Sequence, residues 1–146
     1  MKSPLTPEEP LNMPQNPPDL PHDAHLVLRV IPMPSDANQG GSIFGGWIMS
    51  QVDLAGSVLP IRRSRGRTTT VAVNSFVFKQ PVSVGDLLSF YARIERVGTT
   101  SMTVHVEVWA ERDPASPHLV KVTEASLTYV AIDAQGKPRP VPPELS

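Results

Sequence analysis

The chain contains no cysteine among its 146 residues, which excludes disulfide bonds, thiol nucleophiles and cysteine metal ligands. It also lacks a surplus of basic charge, since 13 lysines and arginines face 14 aspartates and glutamates, so nucleic acid is not an expected partner. No apolar run approaches the roughly 20 residues of a membrane-spanning helix, and no signal-peptide segment follows the N-terminus. We therefore expect a cytoplasmic protein with no membrane association.

Proline is abundant at the ends of the chain and scarce between them. Of the 17 prolines, nine precede residue 35 and four fall between residues 138 and 143. Residues 1–23 have too few apolar side chains to offset the entropy of ordering, and we predict a disordered arm. Residues 137–146 are predicted to form an extended tail, because proline disfavours helical geometry in the residue before it. One domain, at residues 24–136, fits the remaining length.

The central region mostly shows the two-residue period that is typical of β-strands. Runs of valine, threonine and aromatic residues lie between turns rich in glycine, proline and aspartate. The predicted strands cover residues 25–30, 71–78, 87–97, 102–109 and 119–132. In the fourth of these, His105 points away from the valine face.

One segment has a helical period instead. In residues 45–59 the apolar side chains recur at steps of four, three and four, with Ser42 as a candidate N-cap and Pro60 as the expected end. Because this helix is apolar on most sides, we expect it to be buried. The sequence therefore predicts an α+β fold, in which an antiparallel β-sheet wraps around a central α-helix.

Glycines crowd the start of the predicted helix, and Gly45 and Gly46 are its first residues. A helix start offers unpaired N–H donors and the positive end of the helix dipole, which together bind carbonyl oxygens and anions. A tight loop that needs only glycine torsions would explain the same pattern, since the Lys-Ser/Thr ending of a phosphate-binding loop is missing. Both interpretations remain open on this evidence alone.

Asp53 lies inside the otherwise apolar helix, where an ionised carboxylate is costly unless it is hydrogen-bonded. It is either part of a structural polar network or a catalytic base whose proton affinity is adjusted by burial. Its helix face also carries Gly46, Met49 and Ser57 at i+3 and i+4 spacing. Asp53 therefore projects toward the side of the glycine-lined entrance, which favours the catalytic interpretation.

Four arginines follow the predicted helix, and they form either a solvated cationic loop or a site for a phosphate or pyrophosphate group. They are Arg62, Arg63, Arg65 and Arg67. The histidines lack the helical spacing of metal ligands, so no metal site is predicted. No serine lies in the context of a nucleophile elbow, which argues against a Ser-His-Asp triad.

Residues 25–143 resemble the YciA-type acyl-CoA thioesterases of the hotdog-fold superfamily. The resemblance rests on six separated stretches: MPxDxN at 33–38, IFGGWIMSQVD at 43–53, GR and TV within 66–71, PVxVGD at 81–86, GTTS at 98–101 and EVW at 107–109. It implies dimers whose sheets pair edge to edge, assembly into a trimer of dimers, and active sites at the subunit interface. Acyl-CoA is the implied substrate, and no separate cofactor is expected.

The resemblance also implies roles for individual residues. The amide of Gly45 or Gly46 would bind the thioester carbonyl as an oxyanion hole, and a carboxylate would activate water. The four arginines would contact the CoA moiety together with Thr99, Thr100 and Ser101.

The chain departs from the family at Ser42, where members carry aspartate or asparagine. The departure matters for the mechanism, because serine is not a general base at neutral pH. Asp53 matches the catalytic carboxylate of the phenylacetyl-CoA type of hotdog thioesterase. Three possibilities follow. Asp53 is the base while Ser42 positions water, or Asp36 or Asn38 moves in to act instead, or hydrolysis is weak or lost. We favour Asp53 in an acyl-CoA thioesterase.

The alternative function is an acyl-CoA-binding hotdog protein that is catalytically weak or inactive, motivated by Ser42. A transcriptional regulator of this fold is less favoured, because residues 1–23 are too rich in proline for a helix-turn-helix. A hydratase is also less favoured, since the motif region has no suitably spaced pair of aspartate and histidine.

Overall fold

One antiparallel sheet and one long helix form the architecture. The structure is a computed structural model that describes residues 20–116 and 118–145, so most of the predicted N-terminal arm lies outside the described residues. The elements are β1 (His25–Val30), a short 3-10 helix (Pro34–Asp36), α1 (Gly45–Ser64), β2 (Thr68–Phe78), β3 (Leu87–Val97), β4 (Ser101–Arg112) and β5 (His118–Ala131). One strand, one helix and four further strands follow one another as predicted, which confirms the α+β fold.

The sheet has the strand order β1-β3-β4-β5-β2, with every pair antiparallel. In the central strand β4, the alternation predicted from sequence is confirmed, since Met102, Val104, Val106 and Val108 are fully buried. Strand β2 forms one edge, and most of its residues are exposed. Its outer side pairs with no strand of the described chain, so it offers unpaired backbone groups to a neighbour.

The helix α1 packs on the sheet through Ile48, Val52 and Ala55, which belong to the central hydrophobic cluster. The prediction that nearly all of the helix is buried is wrong, because Leu54 and Ile61 are 56% and 46% exposed. A single sheet covers only one side of a helix, so the opposite apolar side stays open in an isolated chain.

The helix starts at Gly45, as predicted, and its N-cap is Phe44. Phe44 precedes its first turn, and the Phe44 carbonyl accepts hydrogen bonds from the amides of Trp47 and Ile48 at 3.1 and 3.3 Å. The prediction of Ser42 as N-cap is therefore wrong. Ser42 lies two residues too early and instead forms a β-bridge with Ser83.

The helix also continues past Pro60, which was wrongly predicted to end it, and reaches Ser64. A proline removes only its own amide hydrogen bond from a helix, and later residues can resume the pattern. The true end is at Arg65, which adopts a left-handed φ of 53°, while the Gly66 amide donates to the Ile61 carbonyl at 3.3 Å. Among the described residues, no helix combines the length and apolar character that crossing a bilayer requires.

We expect Val106→Ala to lower the free energy of unfolding by about 2 kcal/mol, because it removes two methyl groups from a fully buried site in β4. Val97→Ala is the matched control, since Val97 lies at the end of β3 and is 40% exposed. Its expected effect is within about 0.5 kcal/mol. Urea denaturation at one protein concentration, followed by circular dichroism, measures both. Equal losses would contradict the placement of the core along β4.

Candidate active site

The start of α1 presents two backbone amides that have no acceptor in the described part of the chain. They belong to Gly45 and Gly46, whereas the amides that follow bond to the Phe44 carbonyl. A Cβ at Gly45 would lie 3.1 Å from the Phe78 ring, so glycine allows the close approach of β2 to the helix start. Free amides at the positive end of a helix can bind a carbonyl oxygen or an anion.

A largely apolar cleft of about 340 Å³ opens beside this helix start. Its lining comes from the loop and first turn of α1 and from the end of β2: Ser42, Ile43, Gly45, Ile48 and residues 78–82. An apolar cleft with a few polar groups at its rim is typical of a site for a small ligand.

Asn38 organises the loop that leads into the helix. Its side-chain Oδ1 accepts hydrogen bonds from the amides of Gly40 and Ser42 at 2.9 and 3.2 Å. Its own amide donates to the Ser42 carbonyl at 2.7 Å. Gly41 has a φ of 88°, which favours glycine at this tight turn. A catalytic role for Asn38 stays a prediction and would fall to its Nδ2 group, because Oδ1 is used by the loop.

The other two residues considered for catalysis in this loop have structural contacts. Ser42 lies at the cleft and is held through its backbone by Asn38 and by the bridge to Ser83. The Asp36 carboxylate accepts a hydrogen bond from the Met33 amide at 2.9 Å, within the 3-10 helix. This hydrogen bond therefore restricts rotation of the Asp36 side chain.

Asp53 is half-buried in the middle of α1. Its carboxylate Oδ1 accepts hydrogen bonds from the Thr70 hydroxyl at 2.6 Å and from the Tyr129 hydroxyl at 3.1 Å. Its Oδ2 receives no hydrogen bond from the described residues, and none of their ion pairs includes Asp53. The structure thus contains the polar network considered for Asp53, and this network leaves one carboxylate oxygen available.

Sequence reasoning missed Tyr129 as a partner of Asp53 and included Thr70 only within a similarity segment. The register of β2 and β5 pairs Thr70 with Tyr129, and the two are 59 positions apart in the chain. A usable signal was Gly56, because glycine inside a helix is unfavourable and indicates a close approach. A Cβ at Gly56 would lie 2.5 Å from the Tyr129 hydroxyl.

Gly45 and Asp53 do not meet within one chain. They lie on the same helix eight residues apart. At 1.5 Å per residue, this spacing separates them by about 12 Å along the helix axis. A single carbonyl group cannot contact the Gly45 amide and a water molecule on Asp53 of the same protomer.

The arginine group is split between the helix and the segment after it. Arg62 and Arg63 lie in the last turn of α1, so the prediction that all four follow the helix is wrong. Arg63 donates to the Pro142 carbonyl, and Arg65 donates to the Pro143 carbonyl at 3.2 Å. The C-terminal tail therefore already contacts two of the predicted CoA-binding arginines.

The same tail contacts the turn between β3 and β4. The Val141 amide donates to the Thr99 carbonyl at 2.8 Å. The end of β5 also contacts this turn, since the Ala131 amide donates to the Thr100 carbonyl at 2.9 Å, and the Gly98 amide donates to the Ser101 carbonyl at 2.7 Å. Arg67 is exposed just before β2. One tail segment thus contacts Arg63 and Arg65 as well as Thr99.

A charged cluster lies on the outer face of the sheet. The His105 ring nitrogens lie 3.6 Å from Glu95 and 3.1 Å from Glu124, and Lys121 donates to both Glu107 and Glu124. Burial opposes the charge of Lys121, but the hydrogen bonds to these two carboxylates outweigh it and raise the pKa of Lys121. Donor atoms of His105, Glu107 and Glu124 lie within 4.8 Å of one another, a geometry that could hold a cation. Lys121 already balances their charge, and the absence of a metal site stays a prediction.

Comparison with known proteins places the chain among thioesterases. The profile of the Thioesterase superfamily matches residues 40–116. The acyl-CoA thioester hydrolase YciA of Salmonella typhimurium is 47% identical over 119 residues, which cover 80% of this chain and 90% of that protein. The hexameric thioesterase y2039 from Yersinia pestis superposes with a TM-score of 0.79 at 44% identity, covering 86% and 100% of the two chains. Cj0915, a hexameric hotdog fold thioesterase of Campylobacter jejuni, gives 0.77 at 43% identity, covering 80% and 90%.

We expect Asn38→Ala to loosen the loop before α1, because the amides of Gly40 and Ser42 lose their common acceptor. Asn38→Asp is the matched control, since it keeps an oxygen at the same place. Hydrogen–deuterium exchange of the peptide covering residues 38–44 should become about fivefold faster in the alanine variant and stay near wild type in the control. Equal exchange in all three proteins would show that the side chain does not hold the loop.

Proposed function

The chain belongs to the thioesterase superfamily, as a YciA-type member with the hotdog fold, and from this premise we propose that it hydrolyses acyl-CoA to free CoA and a carboxylate. The observation that carries the proposal is the Asp53 carboxylate, which is held by two hydroxyl groups on one oxygen and is open on the other. A fixed carboxylate of this kind can accept a proton from water.

In the proposed reaction, Asp53 Oδ2 accepts a proton as the water oxygen attacks the thioester carbonyl carbon. The carbonyl oxygen becomes an oxyanion, which the Gly45 or Gly46 amide stabilises by hydrogen bonding. The C–S bond then breaks, and the proton held by Asp53 passes to the leaving sulfur, so that CoA departs as the thiol. Ser42 positions the water in this scheme. No thiol acyl-enzyme can form, because the chain has no cysteine.

We propose that two protomers build each site. The separation of about 12 Å between Gly45 and Asp53 requires the helix start of one chain to meet the partner's Asp53. The open edge of β2 carries exposed Val71, Val73 and Val77, and it offers a surface for pairing with a second β2. Edge pairing with two-fold symmetry makes two equivalent sites per dimer. A trimer of such dimers would match the hexamers described for the relatives.

The CoA moiety is proposed to lie along the end of α1 and the turn between β3 and β4. Arg62 is exposed there, and Arg63 and Arg65 donate to the carbonyls of Pro142 and Pro143. Arg63 also lies 3.8 Å from the carboxylate of Glu144, which is 82% exposed. A phosphate accepts stronger hydrogen bonds from guanidinium groups than a neutral carbonyl does. Arg67 and the Thr99-Thr100-Ser101 turn complete the proposed contacts, while the acyl chain enters the cleft beside Gly45.

We expect Asp53→Asn to lower kcat by about 10²- to 10⁴-fold, because the amide keeps an acceptor for Thr70 and Tyr129 but cannot take a proton. Asp36→Asn is the control, since Asp36 lies in the 3-10 helix and is expected to affect turnover little. Release of free CoA thiol from a panel of acyl-CoAs measures the rate, and the cysteine-free protein contributes no thiol background.

Two outcomes would redirect the assignment. If the wild-type protein binds CoA but turns over no acyl-CoA of any chain length, the catalytically inactive binding protein is correct. If Asp53→Asn stays active while Asp36→Asn does not, the base lies near Ser42.

Mixed oligomers test the two-chain site. Gly45→Pro removes the amide hydrogen at the first helical position, where the backbone tolerates proline, and Phe44 already has the extended ψ of 134° that suits a residue before proline. The added Cβ would lie 3.1 Å from the Phe78 ring, so this ring must shift by a few tenths of an ångström. The Gly45→Pro protein and a separate Asp53→Ala protein should each be inactive on its own. Co-expression in equal amounts should restore about a quarter of wild-type activity, because half the dimers then contain one intact site.

Native mass spectrometry verifies that mixed oligomers have formed. Their formation without recovered activity would show that the glycine and carboxylate act within one chain. An active Gly45→Pro protein would instead assign the oxyanion contact to Gly46.

A further inference from the structure

Tyr129 is a fully buried residue of β5 whose hydroxyl group lies within hydrogen-bond distance of two atoms of Asp53 in α1. The hydroxyl lies 2.8 Å from the Asp53 backbone carbonyl and 3.1 Å from Asp53 Oδ1, so its single hydrogen is shared between them. Buried hydroxyl groups require such partners. The contact therefore ties the side chain of Asp53 to its own position in the helix.

The β2–β5 register directs a second hydroxyl to the same oxygen. Thr70 stands opposite Tyr129 in the sheet and donates to Asp53 Oδ1 at 2.6 Å. Two donors on Oδ1 restrain rotation of the carboxylate and leave Oδ2 on the side away from both. The carboxylate is thus oriented before any substrate binds.

Gly56 makes room for this arrangement. A Cβ at that position would lie 2.5 Å from the Tyr129 hydroxyl oxygen and 3.3 Å from the ring carbon that bears it. Glycine is unfavourable inside a helix compared with alanine. The space at Gly56 therefore serves the approach of Tyr129 to the helix backbone one turn after Asp53.

We propose that Tyr129 is a positioning residue for the general base Asp53, and that Gly56 is required to admit its hydroxyl. This inference rests on the proposed thioesterase function and adds a residue to it that touches neither substrate nor water. Burial, together with the Asp53 carboxylate, raises the pKa of Tyr129 well above its usual range. The hydroxyl consequently remains a donor at every pH at which the protein works.

Tyr129→Phe should lower kcat about tenfold with KM within twofold, because the base loses one of its two anchors while the binding surface is unchanged. Tyr91→Phe is the matched control. It changes the chain's other tyrosine, on β3, beside the outer-face group of Arg93 and His105.

Gly56→Ala provides a second test that does not depend on Tyr129→Phe remaining folded. The added methyl group should displace the hydroxyl and lower kcat to a similar extent, again with KM within twofold. In a Gly56→Ala/Tyr129→Phe double variant, kcat should equal that of Tyr129→Phe alone, because there is no hydroxyl left to displace. Thermal unfolding of each variant shows whether the fold is retained.

The outcomes separate this inference from the function on which it rests. If the wild-type protein does not hydrolyse acyl-CoA, the proposed function fails. If it does, but Tyr129→Phe and Gly56→Ala keep the wild-type kcat, the positioning role is wrong. A double variant whose kcat falls well below that of Tyr129→Phe would likewise overturn it, because additive losses indicate only a packing defect.

Discussion

A single five-stranded sheet can cover only one side of a 20-residue helix, and most features of this protein depend on that constraint. The covered side of α1 forms the hydrophobic core with the sheet. The uncovered side carries exposed Met49, Leu54 and Ile61, next to the open edge of β2. Apolar area of this kind favours association, and the separation of Gly45 from Asp53 gives association a chemical consequence. In the proposed two-chain site, the surface that covers the apolar side of α1 also brings the partner's residues to the site.

The environment of Asp53 reconciles a charge with an apolar helix. A hydrogen bond to a charged group contributes roughly 1.5–3 kcal/mol, and Thr70 supplies one to Asp53 Oδ1. Tyr129 shares its hydrogen between this oxygen and the Asp53 backbone carbonyl. Both donors are neutral hydroxyl groups, so they fix the geometry of Asp53 without placing a positive charge beside it.

Local pattern was sufficient to predict the strands and the first residue of the helix, because each depends on neighbours in the sequence. The catalytic role of Asp53 stays a prediction. Local pattern failed where distant segments decide the outcome. Pro60 lies inside the helix, since packing on the sheet favours continuation past a local breaker. The pairing of Thr70 with Tyr129 is a property of the β2–β5 register, which no single stretch encodes. Gly56 was the one sign of that contact within a single stretch of sequence. Glycine destabilises a helix interior, and the position of the Tyr129 hydroxyl explains why glycine is present there.

The serine at position 42 has a physical explanation once the cleft is considered. Ser42 lies at the wall of a mainly apolar cleft with Ile43, Ile48 and Phe78. A carboxylate in this place would lose its hydration when an apolar acyl chain entered, and that loss is costly without a compensating partner. Serine keeps a polar group at the wall at a much smaller desolvation cost. In the proposed function Asp53 supplies the carboxylate from the middle of the helix. The cleft and the base are then separate parts of the site, so the cleft can be apolar without weakening the base.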